Sequence, residues 1–155
     1  MRIRVIAIGS RMPGWVREAV EDYLKRFAVA LRVSLIEIEA GPRSGSSAKR
    51  AIGIEGERLL AALRKDEYVV ALDERGTEMT TKSLATWLGA RMRDGRDLAL
   101  LIGGPDGFAP EVFDRADYKW ALSKLTFPHA LVRVVLAEQL YRAHSLLNNH
   151  PYHRE

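Results

Sequence analysis

The C-terminal end of the chain carries its densest group of chemically capable side chains. Glu138 and Arg142 are four residues apart, which places a carboxylate and a guanidinium on one face of a helix. Tyr152, His153 and Arg154 follow close to the last residue. A phenol can stack on a nucleobase, an imidazole can move a proton, and a guanidinium can bind a phosphate or a carbonyl. The alternatives are a solvated ion pair and a frayed terminus, but the density of these residues favours a function.

A second group of candidates lies where three predicted strands end. The segments are Leu72-Asp73, Gly103-Gly104-Pro105-Asp106-Gly107 and Leu122-Ser123-Lys124-Leu125-Thr126-Phe127. In an open parallel sheet, ligands bind beyond the carboxyl ends of the strands, so these segments are candidate walls of one site. Gly103 and Gly104 lack a Cβ, which allows the backbone to approach a ligand closely. The alternative for the glycine segment is a tight turn that binds no ligand.

Several common catalytic and nucleotide-binding patterns are missing from the sequence. The glycine segment does not match the G-x-G-x-x-G dinucleotide fingerprint, and no Walker A lysine occurs. There is no G-x-S-x-G elbow and no H-E-x-x-H pair. A cysteine count of zero excludes thiolate nucleophiles and Cys-ligated metals. His150 and His153 are separated by Pro151, so they do not share a helical face, and we predict no metal site.

The elements that would position these residues follow from the hydrophobic pattern. Short apolar runs alternate with segments of helical period, which predicts an α/β fold with a parallel sheet and crossover helices. Strands are predicted at residues 2–8, 33–38, 68–72, 98–102 and 118–122, and helices begin near residues 14, 47, 81, 110 and 131. The run at residues 98–102 is the most apolar and is typical of a strand that is covered on both faces.

Three local predictions accompany this pattern. The first helix is expected to pack Trp15, Val16 and Val20 against the sheet, because they recur at helical spacing. Residues 73–79 are expected to turn the chain. Residues 40–47 are rich in Gly, Pro and Ser and contain Arg43, so they are expected to form a mobile basic loop.

The size and composition of the chain fit one soluble domain. Its 155 residues are 47% hydrophobic and 28% charged, close to the globular average. A chain of this length closes around a single core, so we expect one domain, residues 1–155. No apolar run is long enough to cross a membrane and no secretion signal is recognisable, which favours a cytoplasmic protein. The net charge of +4 allows an anionic partner without requiring one.

Several motifs, taken in order along the chain, resemble those of a known family. They are Leu100-Leu101-Ile102-Gly103-Gly104-Pro105-Asp106-Gly107, Leu122-Ser123-Lys124-Leu125-Thr126-Phe127-Pro128-His129, Leu131-Val132-Arg133-Val134, Glu138-Gln139-Leu140-Tyr141-Arg142-Ala143 and the terminal Asn149-His150-Pro151-Tyr152-His153-Arg154-Glu155. Together they resemble the bacterial 23S rRNA pseudouridine N3-methyltransferases of the SPOUT class, the large-subunit rRNA methyltransferase H family. The resemblance begins at Val5-Ile6-Ala7-Ile8-Gly9 and extends to the last residue.

The resemblance implies a fold, a cofactor and a substrate. The fold is a parallel α/β SPOUT domain with helices on both faces, whose C-terminal part, about residues 70–155, forms a trefoil knot. The cofactor is S-adenosylmethionine, with S-adenosylhomocysteine as product, and the implied pocket residues are Leu72, Gly103, Gly104, Leu122, Ser123, Lys124, Leu125, Thr126 and Phe127. The implied assembly is a homodimer, and the substrate is a pseudouridine in the decoding-centre stem-loop of 23S rRNA within the ribosome. Lys124, Phe127 and His144 depart from the residue types expected in the family.

The implied reaction is a direct displacement, in which the protein orients two reactants and removes the proton from N3 of the base. We expect Tyr152 to stack on or hydrogen-bond the base and Arg154 to bind a carbonyl or a phosphate. Either His153 or Glu138 accepts the proton, and the tail can come from the partner subunit. The expected further substrate contacts are His129, Arg133 and Arg142.

Two other classes of function remain open on the sequence alone. A non-catalytic RNA- or ribosome-binding α/β protein would account for the basic first third of the chain and the polar tail, but not for the three strand-end segments. A conventional nucleotide- or NAD-dependent enzyme would account for those segments, but not for the missing fingerprint. Stabilisation by S-adenosylmethionine, and not by NAD or ATP, would distinguish the methyltransferase from both.

Overall fold

A parallel sheet of five strands forms the centre of the computed structural model, which describes residues 1–27, 29–43 and 47–154, without the side chain of His153. The strands are β1 Arg2–Ile8, β2 Arg32–Ile38, β3 Tyr68–Glu78, β4 Leu98–Ile102 and β5 Tyr118–Ala121. Their order across the sheet is β2-β1-β4-β3-β5, and every described pairing is parallel. The predicted α/β class with a parallel sheet is therefore confirmed.

Helices cover both faces of this sheet. They are α1 Gly14–Leu24, α2 Ala48–Ala62, α3 Thr81–Asp94, α4 Pro110–Arg115 and α5 His129–Leu147, followed by a 3₁₀ turn at Pro151–Arg154. α3 and α5 pack on one face with α1 beside α5, and α2 and α4 cover the other face. Ser47 and Thr80 accept hydrogen bonds from the backbone N–H groups of Arg50 and Ser83, which caps α2 and α3.

Strand β4 lies in the middle of the sheet, and all five of its residues are buried. Leu98, Leu100 and Ile102 face the core under α3 and α5, whereas Ala99 and Leu101 face the core under α2 and α4. Successive side chains of a strand point to opposite faces, so a central strand with two covered faces must be apolar throughout. The prediction for this run is confirmed.

The prediction that residues 73–79 turn the chain is wrong. β3 continues to Glu78, because a register shift between Leu72 and Thr77 allows the strand to pair again with β5. Gly76 lies within this irregular stretch, and a Cβ there would come within 2.7 Å of the Lys119 carbonyl carbon. A glycine permits the two backbones to approach this closely. The strand was not predicted beyond Leu72 because the residues that follow are mostly polar.

The predicted inward face of α1 needs one correction. Val16 and Val20 are buried as expected, but Trp15 is 58% exposed. α1 begins at Gly14, so Trp15 is its second residue, directly before the buried Val16. Helical spacing groups residues on one face but does not show which of them a neighbouring element covers. Within the described residues, no helix is long and apolar enough to cross a membrane.

Candidate active site

A pocket of about 390 Å³ opens beside residues 72–74 of β3, where β4 and β5 end and α5 begins. Eight of the nine residues that were expected to bind the cofactor line it, namely Leu72, Gly103, Gly104, Leu122, Ser123, Leu125, Thr126 and Phe127. Lys124, the ninth, is exposed outside the lining. His129, an expected substrate contact, also lines the pocket at the first residue of α5. Parallel strands bring their carboxyl ends to one edge, which is why segments distant in sequence meet here.

The glycine turn after β4 is shaped by its own contacts. The Gly107 N–H donates to the Gly104 carbonyl over 3.1 Å, and Gly107 has a φ of +85°, a conformation that favours glycine. A Cβ on Gly103 would lie 3.2 Å from the ring of Phe108, which also lines the pocket. The missing side chain at Gly103 therefore makes room for Phe108, so a larger residue would disturb the wall of the pocket from within.

The remaining lining residues include two acidic residues and a tryptophan. Asp73 and Glu74 belong to the lining, so two carboxylates stand beside a wall that is otherwise mainly apolar and backbone. Trp120 also lines it, and its indole Nε1 is buried without a hydrogen-bond partner among the described residues. Asp73 belongs to a segment that we predicted as a wall of the site, whereas Glu74, the next residue, was not predicted.

A second group of side chains, which we call the tail cluster, joins the C-terminal 3₁₀ turn to α1 and α5. Its members are Tyr23, Glu138, Tyr141, Arg142 and Tyr152. Arg142 Nε donates to Glu138 Oε1 over 2.8 Å, so the predicted pair between these two residues is present. The Tyr152 hydroxyl lies 3.1 Å from the same oxygen and 3.3 Å from the Tyr23 hydroxyl. The Tyr152 ring packs edge-on against Tyr141, with centroids 4.7 Å apart.

The environment of Tyr152 keeps its hydroxyl protonated. Burial raises the pKa of the phenol, and the hydrogen bond with Tyr23 and the nearby Glu138 carboxylate raise it further. An O–H group in this position acts as a hydrogen-bond donor and not as a base. Tyr23 was not among the residues predicted for the site, because it belongs to α1, 129 positions away from Tyr152 in the sequence.

The pocket and the tail cluster lie at different heights along α5. His129 borders the pocket and Glu138 belongs to the tail cluster, and nine helical residues correspond to a rise of about 14 Å. Within one chain, the structure brings together the expected cofactor residues and, separately, Glu138, Arg142 and Tyr152. Arg154 is exposed at the end of the 3₁₀ turn. The expectation for the His153 side chain falls outside the described residues.

Arg133 lies on α5 between the two regions, and its side chain is only 2% exposed. Its Nη2 donates to the carbonyls of Ile8 at 3.1 Å and Gly9 at 2.7 Å, and its Nη1 donates to Glu37 Oε2 at 2.6 Å. The guanidinium thus binds the ends of β1 and β2 to α5. Substrate contact by Arg133 stays a prediction, and it would require this anchor to open.

The predicted mobile basic loop is anchored at Arg43. The guanidinium donates to the buried Glu55 carboxylate, with Nη1 2.8 Å from Oε2, and Nε donates to Asp106 Oδ2 over 2.9 Å. These two carboxylates raise the pKa of Arg43, the Glu55 hydrogen bond most strongly. Residues 44–46 of the predicted loop lie outside the described residues. Across the described ranges, no group of three or more His, Asp or Glu side chains is arranged to hold a metal ion.

Comparison with known proteins gives relatives that span the chain. A family model described as "Predicted SPOUT methyltransferase" matches residues 1–153. The chain is 55% identical over 155 residues to a protein of Alkalilimnicola ehrlichii named ribosomal RNA large subunit methyltransferase H, with 99% of each covered. It is 51% identical over the same length to the Stenotrophomonas maltophilia protein of that name, again with 99% coverage. These matches confirm the resemblance drawn from the sequence motifs.

Solved structures of low sequence similarity share the fold. A methylase family protein from Haemophilus influenzae superposes with a TM-score of 0.57 at 15% identity, covering 97% of this chain and 69% of that one. A methylase family protein from Neisseria gonorrhoeae gives 0.51 at 15% identity, with coverage of 90% and 81%. The parallel sheet, the pocket at its carboxyl edge and the match along nearly the whole sequence lead to one conclusion: the chain belongs to the SPOUT methyltransferase family.

Proposed function

We propose that the protein transfers a methyl group from S-adenosylmethionine to N3 of a pseudouridine in the decoding-centre stem-loop of 23S rRNA, in the assembled ribosome. The observation that carries this proposal is the pocket at the strand ends, which gathers eight expected cofactor residues in a chain 55% identical to a ribosomal RNA large subunit methyltransferase H. We also propose a cytoplasmic location, because the proposed substrate is the ribosome.

The pocket has the properties that this cofactor requires. Its volume of about 390 Å³ lies in the range of small-molecule sites. Leu72, Leu122 and Phe127 offer apolar surface to an adenine ring, and Asp73 and Glu74 complement a ligand with a positive sulfonium and ammonium group. When bound, the cofactor supplies a methyl group that is already activated on sulfur.

The substrate side of the reaction is assigned to the tail. Tyr152 holds the base through stacking or through its hydroxyl, and Arg154 binds a carbonyl or a phosphate of the RNA. Glu138 or His153 accepts the N3 proton. Glu138 already accepts hydrogen bonds from Arg142, Tyr152 and Gln139, which supports keeping His153 beside it as the alternative acceptor. His129 and Arg142 are the proposed further substrate contacts.

A homodimer with a knotted C-terminal part completes the proposal. The tail cluster lies about 14 Å along α5 from the start of the pocket, and this separation favours a site in which the partner subunit's tail faces the cofactor. We propose that about residues 70–155 form the trefoil knot, which would hold the segments 103–107 and 122–127 against each other around the cofactor.

Ligand-dependent melting separates the classes of function. We expect S-adenosylmethionine and S-adenosylhomocysteine to raise the melting temperature, whereas NAD and ATP leave it unchanged. A ligand at 100 times its Kd contributes about 2.7 kcal/mol to the native state, an increase that is readily measured. Stabilisation by RNA alone would instead support a non-catalytic RNA-binding protein.

The substrate is tested by methyl transfer to ribosomal particles. We expect radiolabel from the cofactor to enter 23S rRNA of assembled ribosomes that lack the modification, and mass spectrometry to locate it on a pseudouridine. Free 23S rRNA serves as the comparison and is expected to be a poor substrate. Equal labelling of free rRNA, or labelling at a uridine carbon, would contradict the proposal.

A further inference from the structure

We propose that Arg43 is a positioning residue for the methyl donor, because it holds the Gly103–Gly107 turn from the side that faces away from the pocket. This inference rests on the proposed function, since it takes the pocket at the strand ends to be the methyl-donor site. Arg43, Glu55 and Asp106 are absent from the residues that line the pocket, so they act through the turn and do not touch the ligand.

The anchor begins at a buried carboxylate in α2. Glu55 is 2% exposed, and its Oε2 accepts hydrogen bonds from the Gly41 N–H at 2.9 Å and from Arg43 Nη1 at 2.8 Å. Arg43 Nη2 lies 3.2 Å from the other carboxylate oxygen. A buried charge is tolerated when it is paired and hydrogen-bonded, and here one guanidinium and one backbone amide provide the pairing. The two terminal nitrogens of Arg43, Nη1 and Nη2, are therefore held by the Glu55 carboxylate.

The third nitrogen of the same guanidinium, Nε, contacts the glycine turn. Arg43 Nε donates to Asp106 Oδ2 over 2.9 Å. A Cβ on Gly104 would lie 3.0 Å from Glu55 Oε1 and 3.3 Å from Arg43 Nη2, so the backbone of the turn packs directly on the ion pair. The turn thus has one surface toward the pocket, through Gly104 and Gly107, and the opposite surface on the Arg43–Glu55 pair.

A turn of this composition needs such an anchor. Three of its five residues are glycines, which have more backbone freedom than other residues and lose more entropy when they are ordered. Within the turn, one backbone hydrogen bond joins Gly107 to Gly104. If the turn were ordered only when the ligand binds, part of the binding energy would be consumed in ordering it. Arg43 orders the turn in advance, which raises the affinity for the methyl donor.

The chain provides a matched control for this anchor. Arg58 of α2 also binds the loop after β2, because its Nη1 donates to the carbonyls of Glu39 at 2.8 Å and Ala40 at 3.2 Å. Its described hydrogen bonds end at this loop and do not extend to the turn. A substitution of Arg58 therefore removes a loop contact of the same chemical kind but leaves the link to Asp106 intact.

The test is the affinity for S-adenosylhomocysteine, measured by calorimetry on the full chain. We expect Asp106→Asn, which keeps the side-chain shape but removes the charge, to weaken binding by about fivefold, and Arg43→Gln combined with Glu55→Gln by about tenfold or more. Arg43→Lys keeps the charge but cannot bridge both carboxylates, so it should fall between wild type and the double variant. Arg58→Gln should remain within about twofold of wild type.

Hydrogen–deuterium exchange of the peptide that covers residues 103–108 distinguishes positioning from general destabilisation. We expect faster exchange in this peptide for Asp106→Asn, with a melting temperature close to that of wild type. Wild-type affinity and wild-type exchange in both Asp106→Asn and the double variant would overturn the inference and leave the proposed function in place. Failure of the wild-type protein to bind S-adenosylhomocysteine would instead overturn the proposed function, and this inference with it.

Discussion

The pocket at the strand ends and the tail cluster are formed by different kinds of chemical group. The pocket is formed by turns at the carboxyl edge of the sheet, where glycines, backbone groups and apolar side chains surround a space of about 390 Å³. The tail cluster consists of long aromatic and charged side chains from α1, α5 and the C-terminal 3₁₀ turn. The first region encloses a volume, and the second presents a set of hydrogen-bonding and stacking groups.

Under the proposed function, this difference corresponds to a division between cofactor binding and substrate binding along α5. A cofactor with a constant structure is well served by a wall of rigid backbone, whereas a nucleobase within a large RNA is better contacted by side chains near a terminus. The two regions share α5 but no residue, and Arg133 lies between them with its guanidinium bound to the ends of β1 and β2. The two activities, cofactor binding and methyl transfer, should therefore respond separately to substitutions.

The most severe expected effect comes from removing residues 151–155. We expect methyl transfer to ribosomes to fall by about 10³-fold or more, because the groups that we propose to orient the base are lost, while the affinity for S-adenosylhomocysteine stays within about twofold. Single-turnover kinetics and calorimetry measure the two quantities. Tyr152→Phe is the milder companion and should retain more activity. An equal loss of cofactor affinity would show that the two regions are not separable.

Replacing Arg133, which lies between the two regions, tests whether its guanidinium stabilises the packing of α5 on the ends of β1 and β2. We expect Arg133→Met to lower the free energy of unfolding by about 2–4 kcal/mol, because the Ile8 and Gly9 carbonyls and the Glu37 carboxylate lose a buried donor. Urea denaturation gives this value. The control is Arg17→Met, an exposed position on α1 that should change stability by less than about 0.5 kcal/mol. A neutral Arg133→Met variant would remove the argument for a structural anchor.

Filling the glycine turn should affect the pocket alone. We expect Gly103→Val to weaken S-adenosylhomocysteine binding by about tenfold, because its Cβ would displace the Phe108 ring from 3.2 Å away. Gly53→Ala in α2 is the control, since nothing lies within 4 Å of the added methyl group and helix propensity should improve stability by up to about 1 kcal/mol. Calorimetry and thermal melting provide the readouts. Undiminished binding in a folded Gly103→Val variant would contradict this account of the wall.

The smallest expected effect is a pH dependence beside the tail cluster. His144 is 7% exposed and packs on Phe27 with ring centroids 5.6 Å apart, and burial lowers its pKa below the ordinary 6.5. Between the lowered pKa of the folded protein and the ordinary pKa of the unfolded chain, the unfolded chain binds more protons than the folded one. The free energy of unfolding therefore falls as the pH is lowered through this range. We expect His144→Phe to flatten this slope in urea unfolding between pH 7.5 and 5.5. If His144→Phe left the slope unchanged, the pH dependence of stability would come from other groups.

Much of the fold was predictable, because the signals that define it are local. Alternating apolar runs located all five strands, and the apolar run at residues 98–102 indicated a strand buried on both faces. The extension of β3 beyond Leu72 was missed, because its residues are polar and its pairing depends on β5, about 40 positions later in the chain. The exposure of Trp15 was missed because helical spacing does not specify which positions of a helix are covered by tertiary packing.

The pocket was more predictable than the tail cluster for a related reason. Strand ends gather at one edge of any open parallel sheet, so identifying the strands was sufficient to group Leu72, Gly103 and the 122–127 segment. The pair of Glu138 and Arg142 follows from helical spacing. The participation of Tyr23 depends on how α1 packs against α5, which no local pattern specifies.

By itself, the sequence determined the order of strands and helices, the edge of the sheet where a ligand would bind, and the family. Only the tertiary structure decided which charges meet: Arg43 with Glu55 and Asp106, and Arg133 with Glu37 and the end of β1. The physical reason is range. Hydrophobic periodicity acts among neighbours in the chain, whereas ion pairs and hydrogen bonds depend on distances of a few ångströms in space between residues such as Arg43 and Asp106, 63 positions apart.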